Sequence, residues 1–264
     1  MQSKLIQTIG FIGSGKVASH LAIALYKSGV NILQIYSLNS LHANELSSKV
    51  ESQTITSISE FDQDIDCIII SISDSSLSTI DISLLPSSTL ICHTSGSVDM
   101  DVFNMFQNYG VFYPLQTFSS QSSPDMSKIP FCIEANTEKS SRKLSYLARL
   151  LSQNVYQVDS NQRHTLHLAA VFANNFSNAM FGIGEEILSQ SDLSFDLLRP
   201  LIEETASKIK FSLPSEVQTG PAIRNDQEIM KQHINKLKSS TDYAELYRSI
   251  SNIINKKITN NEKL

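Results

Sequence analysis

The chain predicts an α/β fold, a doubly wound and mostly parallel sheet followed by an all-helical second domain. The apolar run Thr8–Ile12 leads into Gly13-Ser-Gly15-Lys-Val-Ala18, and Val17, Leu21, Ala22 and Leu25 then recur with helical spacing as far as Gly29. A strand, a glycine turn and a helix in that order begin such a sheet. The runs Cys67-Ile-Ile-Ile70 and Thr89-Leu-Ile-Cys92 are apolar throughout instead of alternating. That is the pattern of parallel strands covered on both faces. Beyond Asp159 strand signals stop, and the rest of the chain has helical spacing.

Taken in order, strands are expected at Thr8–Ile12, Ile32–Ser37, near Ile55, at Cys67–Ser71, Leu90–His93, Val111–Tyr113, Phe131–Glu134 and Val155–Val158. Helices are expected between them at Val17–Ser28, His42–Lys49, Leu77–Leu85, Val102–Asn108 and Ser140–Ser152. Alternation of this kind is the mark of an α/β domain. The second domain then reads as helices at Ser160–Gln190, Phe195–Lys210, Asp226–Lys238 and Tyr243–Ile258. The first of these carries Ala169, Ala170, Ala173, Ala179, Gly182 and Gly184, small residues that let another helix approach closely. It is therefore expected at the centre of its domain. The boundary falls at Asp159, giving domains 1–158 and 159–264.

At 264 residues the chain is long enough for two domains with real cores. A net charge of −5 and no basic patch argue against a nucleic-acid partner. Every apolar run is of strand length, so no membrane span is expected. Met1-Gln-Ser-Lys runs straight into the first strand, which leaves no room for a signal peptide and points to the cytoplasm. Cys67, Cys92 and Cys132 are widely spaced in apolar runs and read as buried thiols. His164 and His167 lie three apart with no carboxylate or cysteine to complete a ligand set, so no metal is expected.

The glycine corner suits the paired phosphates of a dinucleotide. Gly13 allows the tight turn, Gly15 removes the Cβ that would block the backbone, and Ala18 keeps helix and strand close. The amides of Ser14, Gly15, Lys16 and Val17 and the positive end of the helix dipole then face the anion. Gly10 and Lys16 also match the spacing of a P-loop, with Cys67–Ile72 and Asp74 as its second strand. Val17 stands where a P-loop needs a magnesium-binding hydroxyl, and Gly10 lies inside the strand. Tyr36-Ser37-Leu38-Asn39 offers no carboxylate at the end of the second strand, where NAD-binding folds hold one. Ser37 and Asn39 can donate to a 2′-phosphate, which favours NADP over NAD; the alternative makes them turn formers. Ser71, Ile72 and Ser73 end the fourth strand, and His93, Thr94, Ser95 and Gly96 end the fifth, both on the cofactor side. Asp74 is expected as the N-cap of a helix beginning near Ser76.

Five segments in this order resemble one family: Gly10–Ala18, His93–Ser97, Tyr113-Pro-Leu-Gln-Thr-Phe118, His167–Phe176 and Gln218-Thr-Gly-Pro-Ala-Ile-Arg224. The family consists of oxidoreductases predicted from sequence, with a Rossmann-like domain joined to a helical domain of unknown function. It is similar to 6-phosphogluconate dehydrogenase, pyrroline-5-carboxylate reductase and prephenate dehydrogenase. The resemblance implies an NAD(P)-dependent enzyme whose helical domain forms a homodimer and closes a cleft over a small polar substrate. In the β-hydroxyacid dehydrogenase branch a lysine on the long helix moves the proton. Aligned on Asn174 and Asn175, that place holds Val171, so that branch's reaction is not implied; His167 lies one turn earlier on the same face.

The candidate catalytic residues are His93, His167, Asn174 and Asn175. His93 ends a strand on the cofactor side with a pKa suited to proton transfer; it could equally bond the turn at Ser95. His167 packs at the domain junction or serves chemistry, and His164 is expected at the surface. Asn174 and Asn175 sit among Val171, Phe172 and Phe176, where buried amides need partners. For substrate, Gln116 and Thr117 follow Pro114 on the ligand side. Arg224 offers a fork for an anion, or else pairs with Asp226 or another subunit. A non-catalytic dinucleotide sensor is the competing reading.

Overall fold

A computed structural model describes residues 5–119, 121 and 123–261, with side chains as far as Lys256. It comprises two compact units, Met1–Ala173 and Asn174–Leu264.

The first unit is built on an eight-stranded sheet: β1 (Thr8–Ile12), β2 (Asn31–Tyr36), β3 (Gln53–Ile55), β4 (Cys67–Ile70), β5 (Leu90–His93), β6 (Asn108–Pro114), β7 (Phe131–Ala135) and β8 (Val155–Gln157). The spatial order is β3-β2-β1-β4-β5-β6-β7-β8, and every pair is parallel except β6 with β7. The order reverses between β1 and β4, so the crevice beyond their carboxyl ends is a topological switch point.

The central strand β4 is apolar and buried at every position because both faces of the sheet are covered. Ile9, Phe11, Cys67, Ile69, Leu90 and Cys92 join one core with α1 (Lys16–Lys27), α2 (Ser40–Lys49) and α4 (Glu138–Leu151). The alternate residues Ile12, Ile68, Ile70 and Ile91 join the other, with Leu77, Ile82, Leu85, Phe103 and Phe106.

That second face corrects two expected helices. Only α3 (Asp74–Leu77) forms where Leu77–Leu85 is predicted, and Val102–Asn108 yields a 3-10 turn at Met100–Phe103. Serine and threonine side chains compete for the backbone here. Ser78 and Thr79 hydroxyls bond carbonyls of the preceding turn, and Asp81 accepts from the Ser83 amide before Pro86 stops the chain. Asn108–Gly110 extends β6, where Gly110 lets the strand come close to β7: an added Cβ would stand 2.2 Å from the Glu134 carbonyl oxygen.

The expected helix Ser160–Gln190 is divided into α5 (Ser160–Ala170), a π-helical stretch Val171–Phe176, and α6 (Ser177–Ser189). α5 belongs to the first unit, which thus runs past the boundary expected at Asp159. An Asp159–Gln162 capping box starts it, and its buried Arg163 ties it to the sheet. Of the small residues expected at the centre of a domain, Ala169, Ala173 and Ala179 are exposed and Ala170, Gly182 and Gly184 are half-buried; Leu168, Phe172 and Phe176 are exposed too.

The second unit contains α6, α7 (Arg199–Lys208), α8 (Gln227–Lys236) and α9 (Thr241–Asn261), all its described elements being helical. Tyr243 of α9 donates to the Glu186 carboxylate of α6, and Tyr247 of α9 meets His233 of α8 at 2.9 Å. No described helix is long and apolar enough to cross a membrane.

Candidate active site

The glycine corner has the shape a diphosphate requires. Gly13 adopts φ +107°, and a Cβ there would stand 2.2 Å from the Ser71 carbonyl oxygen, so β1 and β4 approach as only glycine permits. Its amide donates to the Tyr36 carbonyl at 2.8 Å. Gly15 is the opposite case: a Cβ there would meet nothing within 4 Å, and the residue is exposed. Side chains cap α2, α4 and α5, but α1 begins at Gly15 with no side-chain cap. The amides of its first turn thus face open space, which fits an anion at that end. Ala18 is fully buried beneath.

At the end of β2, Ser14 Oγ donates to Ser37 Oγ at 2.9 Å, and Ser37 Oγ also accepts from the Asn39 amide. Asn39 Oδ1 caps α2 by accepting from the His42 amide at 3.1 Å, so its oxygen has the turn-forming role weighed above. Ser71 Oγ accepts from Thr94 Oγ1 at 3.0 Å, linking the ends of β4 and β5. The cap of α3 is Ser73 and not Asp74, because Ser73 Oγ reaches the Ser76 amide. Asp74 follows it and accepts instead from Ser97 Oγ.

Beyond β5 the chain turns at Ser95–Val98. Ser95 Oγ accepts from the Ser97 and Val98 amides, and the Ser95 amide donates to His93 Nδ1 at 3.1 Å. His93 is fully buried against Phe103. Burial, reinforced by the nearby Arg163 charge, lowers its pKa to about 4 against the pull of Asp99 and Asp74. The ring is therefore neutral at physiological pH, with its proton on Nε2.

Gly96 sits in this turn beneath two rings. A Cβ on it would lie 2.5 Å from His167 Nδ1 and 2.8 Å from Tyr113 Cζ. Those rings are hydrogen-bonded, Tyr113 Oη to His167 Nδ1, at 3.1 Å. Burial pushes the Tyr113 phenol up to about 12, so it keeps its proton and is able to donate to Nδ1. His167 is half-buried, and a ring that accepts at Nδ1 holds its own proton on Nε2.

Comparison with known proteins gives this geometry a family. Residues 8–91 match the family model described as NADP oxidoreductase, coenzyme F420-dependent, and residues 129–254 match a domain of unknown function, DUF2520. A Bacteroides fragilis protein assigned as an NADP oxidoreductase is 40% identical, covering 96% of this chain and 100% of its own, with a TM-score of 0.88. The chain belongs to this NADP oxidoreductase family. An imine reductase from Myxococcus stipitatus, solved with NADP+, has a TM-score of 0.64 at 12% identity, covering 96% of this chain and 94% of its own. A 1-pyrroline-5-carboxylate reductase from Streptococcus pyogenes has a TM-score of 0.64 at 13% identity, covering 96% and 99%. These two share the fold. No curated protein matches the chain.

Within this family member, the first unit brings Gly13, Ser14, Gly15, Ser37, Ser71 and Thr94 together at the strand ends through the contacts above. Lys16 is exposed and Val17 and Ile72 half-buried beside them, while Ser73 is exposed. Gln116 and Thr117 are exposed, and the Thr117 amide donates to Gln116 Oε1. Asn174 and Asn175 are exposed in the π-helical stretch instead of buried among apolar neighbours, since Phe172 and Phe176 face outward too. Val171 is half-buried. Arg224 is exposed within the turn closed by the Asp226 amide on the Pro221 carbonyl, and the Asp226 side chain caps α8 at the Ile229 amide instead of pairing with it. His164 is half-buried, 3.5 Å from Asp99 Oδ1 and not fully at the surface.

Sequence reasoning missed Tyr113, Gly96 as a packing residue, Arg163 and Glu134. Tyr113 was within reach, since a phenol near the carboxyl end of β6 lies on the ligand side. Nothing local announces the other three.

Proposed function

We propose that this oxidoreductase uses NADP to reduce or oxidise a small polar, anionic metabolite, with Tyr113 and His167 handling the proton. One observation carries the reading: the 3.1 Å contact between Tyr113 Oη and His167 Nδ1, seated on Gly96 at the carboxyl ends of β5 and β6. The glycine corner and the absence of a carboxylate at residues 36–39 fit NADP. NADPH, when bound, supplies the reducing equivalent. Tyr113, held in its phenol form, fixes the tautomer and orientation of the His167 ring. Nε2 of His167 is then the nitrogen left to give a proton to a developing oxyanion or amine, or to take it back in the reverse direction. This supplies what Val171, in the place of a lysine, cannot.

Gln116 and Thr117 are the residues proposed to orient the substrate, with Arg224, Asn174 and Asn175 contributing from the helical half. His93, buried and neutral, fits a role holding the Ser95 turn better than one in proton transfer. The exposed Leu168, Phe172 and Phe176 suit a homodimer surface, to be checked by light scattering.

The test follows NADPH absorbance with a panel of keto acids, imines and aldehydes. Tyr113→Phe and His167→Gln are expected to lower kcat roughly 100- to 10,000-fold while NADPH affinity stays within about twofold. Turnover by both variants at the wild-type rate refutes the assignment. Coenzyme binding with no turnover of any substrate favours the sensor reading.

A further inference from the structure

Arg163 is the largest fully buried side chain among the described residues. A guanidinium has five N–H donors, and here each has an acceptor. Nε and Nη2 donate to Glu134 Oε2 at 3.3 and 3.0 Å, and Nη2 also reaches Ser160 Oγ at 3.1 Å. Nη1 donates to two backbone carbonyls, Ser95 at 3.2 Å and Val98 at 2.7 Å. Ser160 in turn donates to the Glu134 carboxylate. One side chain thus ties three elements together: α5, strand β7 through Glu134, and the turn after β5.

The two carbonyls bracket Gly96, the residue on which the Tyr113 and His167 rings rest. Arg163 and His167 are four apart on α5, one helical turn, on the same face. The turn is already stiffened by the Ser95 hydroxyl and anchored to β5 through His93. What remains to be set is the distance between that turn and the helix bearing His167. Arg163 is the group that spans it, and a lysine, with a point charge and no planar fork, cannot satisfy both carbonyls and the carboxylate at once.

We propose that Arg163, held by Glu134, is a positioning residue that sets the hydrogen bond between Tyr113 and His167 over Gly96. This rests on the proton-handling reading of that pair. Deletion of one bond in a fully satisfied buried network loosens the rest, and a displacement of about 1 Å at a reacting group can cost roughly 100-fold in rate.

The test uses the full chain with 15N-labelled histidine. In the wild type, the His167 nitrogens should report a single tautomer with Nδ1 accepting. Glu134→Gln keeps the shape and removes the charge; Arg163→Lys keeps the charge and removes the fork. Both are expected to move the His167 nitrogen signals toward those of a free imidazole and to lower kcat roughly 10- to 100-fold, with NADPH affinity within about twofold. Ile69→Val, a methylene deletion in the core at β4, should lower stability and leave both readouts unchanged. Should Arg163→Lys fail to fold, Glu134→Gln decides alone. His167 signals that ignore Glu134→Gln overturn the positioning role even where Tyr113→Phe abolishes turnover. Normal turnover by Tyr113→Phe instead removes the proton-handling reading, and the catalytic consequence of Arg163 with it.

Discussion

Adding a single methyl at Gly96 should disable the site without touching the coenzyme corner. The Cβ of Gly96→Ala would stand 2.5 Å from His167 Nδ1, 2.8 Å from its Cγ and 2.8 Å from Tyr113 Cζ. That is roughly 1 Å inside an ordinary contact of about 3.5–4.0 Å. Tyr113 is buried at the end of β6, whereas His167 is half-buried, so the imidazole is the ring that yields. Its displacement breaks the 3.1 Å hydrogen bond, worth about 1 kcal/mol, within an overpacking cost of about 1–3 kcal/mol. A shift of that size predicts a kcat lower by roughly 100-fold. Gly10→Ala is the matched control. Its Cβ would meet Phe61 Cε1 at 2.5 Å in the core, away from the two rings. It should cost a comparable 1–3 kcal/mol or so in urea unfolding and leave kcat intact. NADPH absorbance gives the rates, and calorimetry gives the coenzyme Kd, expected within about twofold of wild type for Gly96→Ala. Wild-type kcat in Gly96→Ala would refute the reasoning, since the ring pair could then not depend on the surface beneath it.

Two further outcomes follow from the same geometry. Gly15→Ala should change stability by no more than about 1 kcal/mol, because the space beside it is open, yet weaken NADPH binding at least about tenfold. Gly13→Ala should cost about 3 kcal/mol or more, because φ +107° and the Ser71 carbonyl oxygen both oppose a side chain. Retention of the wild-type Kd by Gly15→Ala, measured by calorimetry, would contradict the diphosphate cradle. His93 predicts a pH dependence. Its folded pKa of about 4 lies below the ordinary 6.5, so the unfolded chain takes up the proton first as pH falls. The stability present above pH 6.5 is thus lost between about 6.5 and 4, in all about 3 kcal/mol. Urea titrations from pH 7 to 4.5 should show the wild type losing more stability than His93→Gln; a constant difference between them across that range would exclude it.

Where a local rule governed the backbone, the sequence was readable. Thr8–Ile12 and Leu90–His93 form the strands their apolar runs predict, and the alternate side chains of each divide between the two cores. The rule failed at Leu77–Leu85, where apolar spacing suggested a helix but serine, threonine and aspartate side chains took the backbone partners. It failed again at Asn174 and Asn175. Their apolar neighbours implied burial, yet that stretch faces outward, and periodicity does not say which side of a helix meets protein. The coenzyme corner was legible because all its parts lie within six consecutive residues. The proton-handling pair was only half read: His167 stood among the candidates, while Tyr113 did not, although its place near the carboxyl end of β6 marked the ligand side.

The sequence by itself determined the order of the strands along the chain, the glycine turn and the lack of a carboxylate at residues 36–39, because each depends on local neighbours. Tertiary structure alone decided which side chains meet. Tyr113 and His167 are 54 residues apart, and Arg163 reaches Glu134 across 29. Those meetings depend on the order of strands in the sheet and on α5 docking against it. Burial then converts them into chemistry. Loss of water pins His93 neutral and Tyr113 protonated, and the same loss obliges Arg163 to find an acceptor for each of its five N–H groups. No local pattern encodes the loss of water, since it is a property of the packed sheet and the helix that covers it.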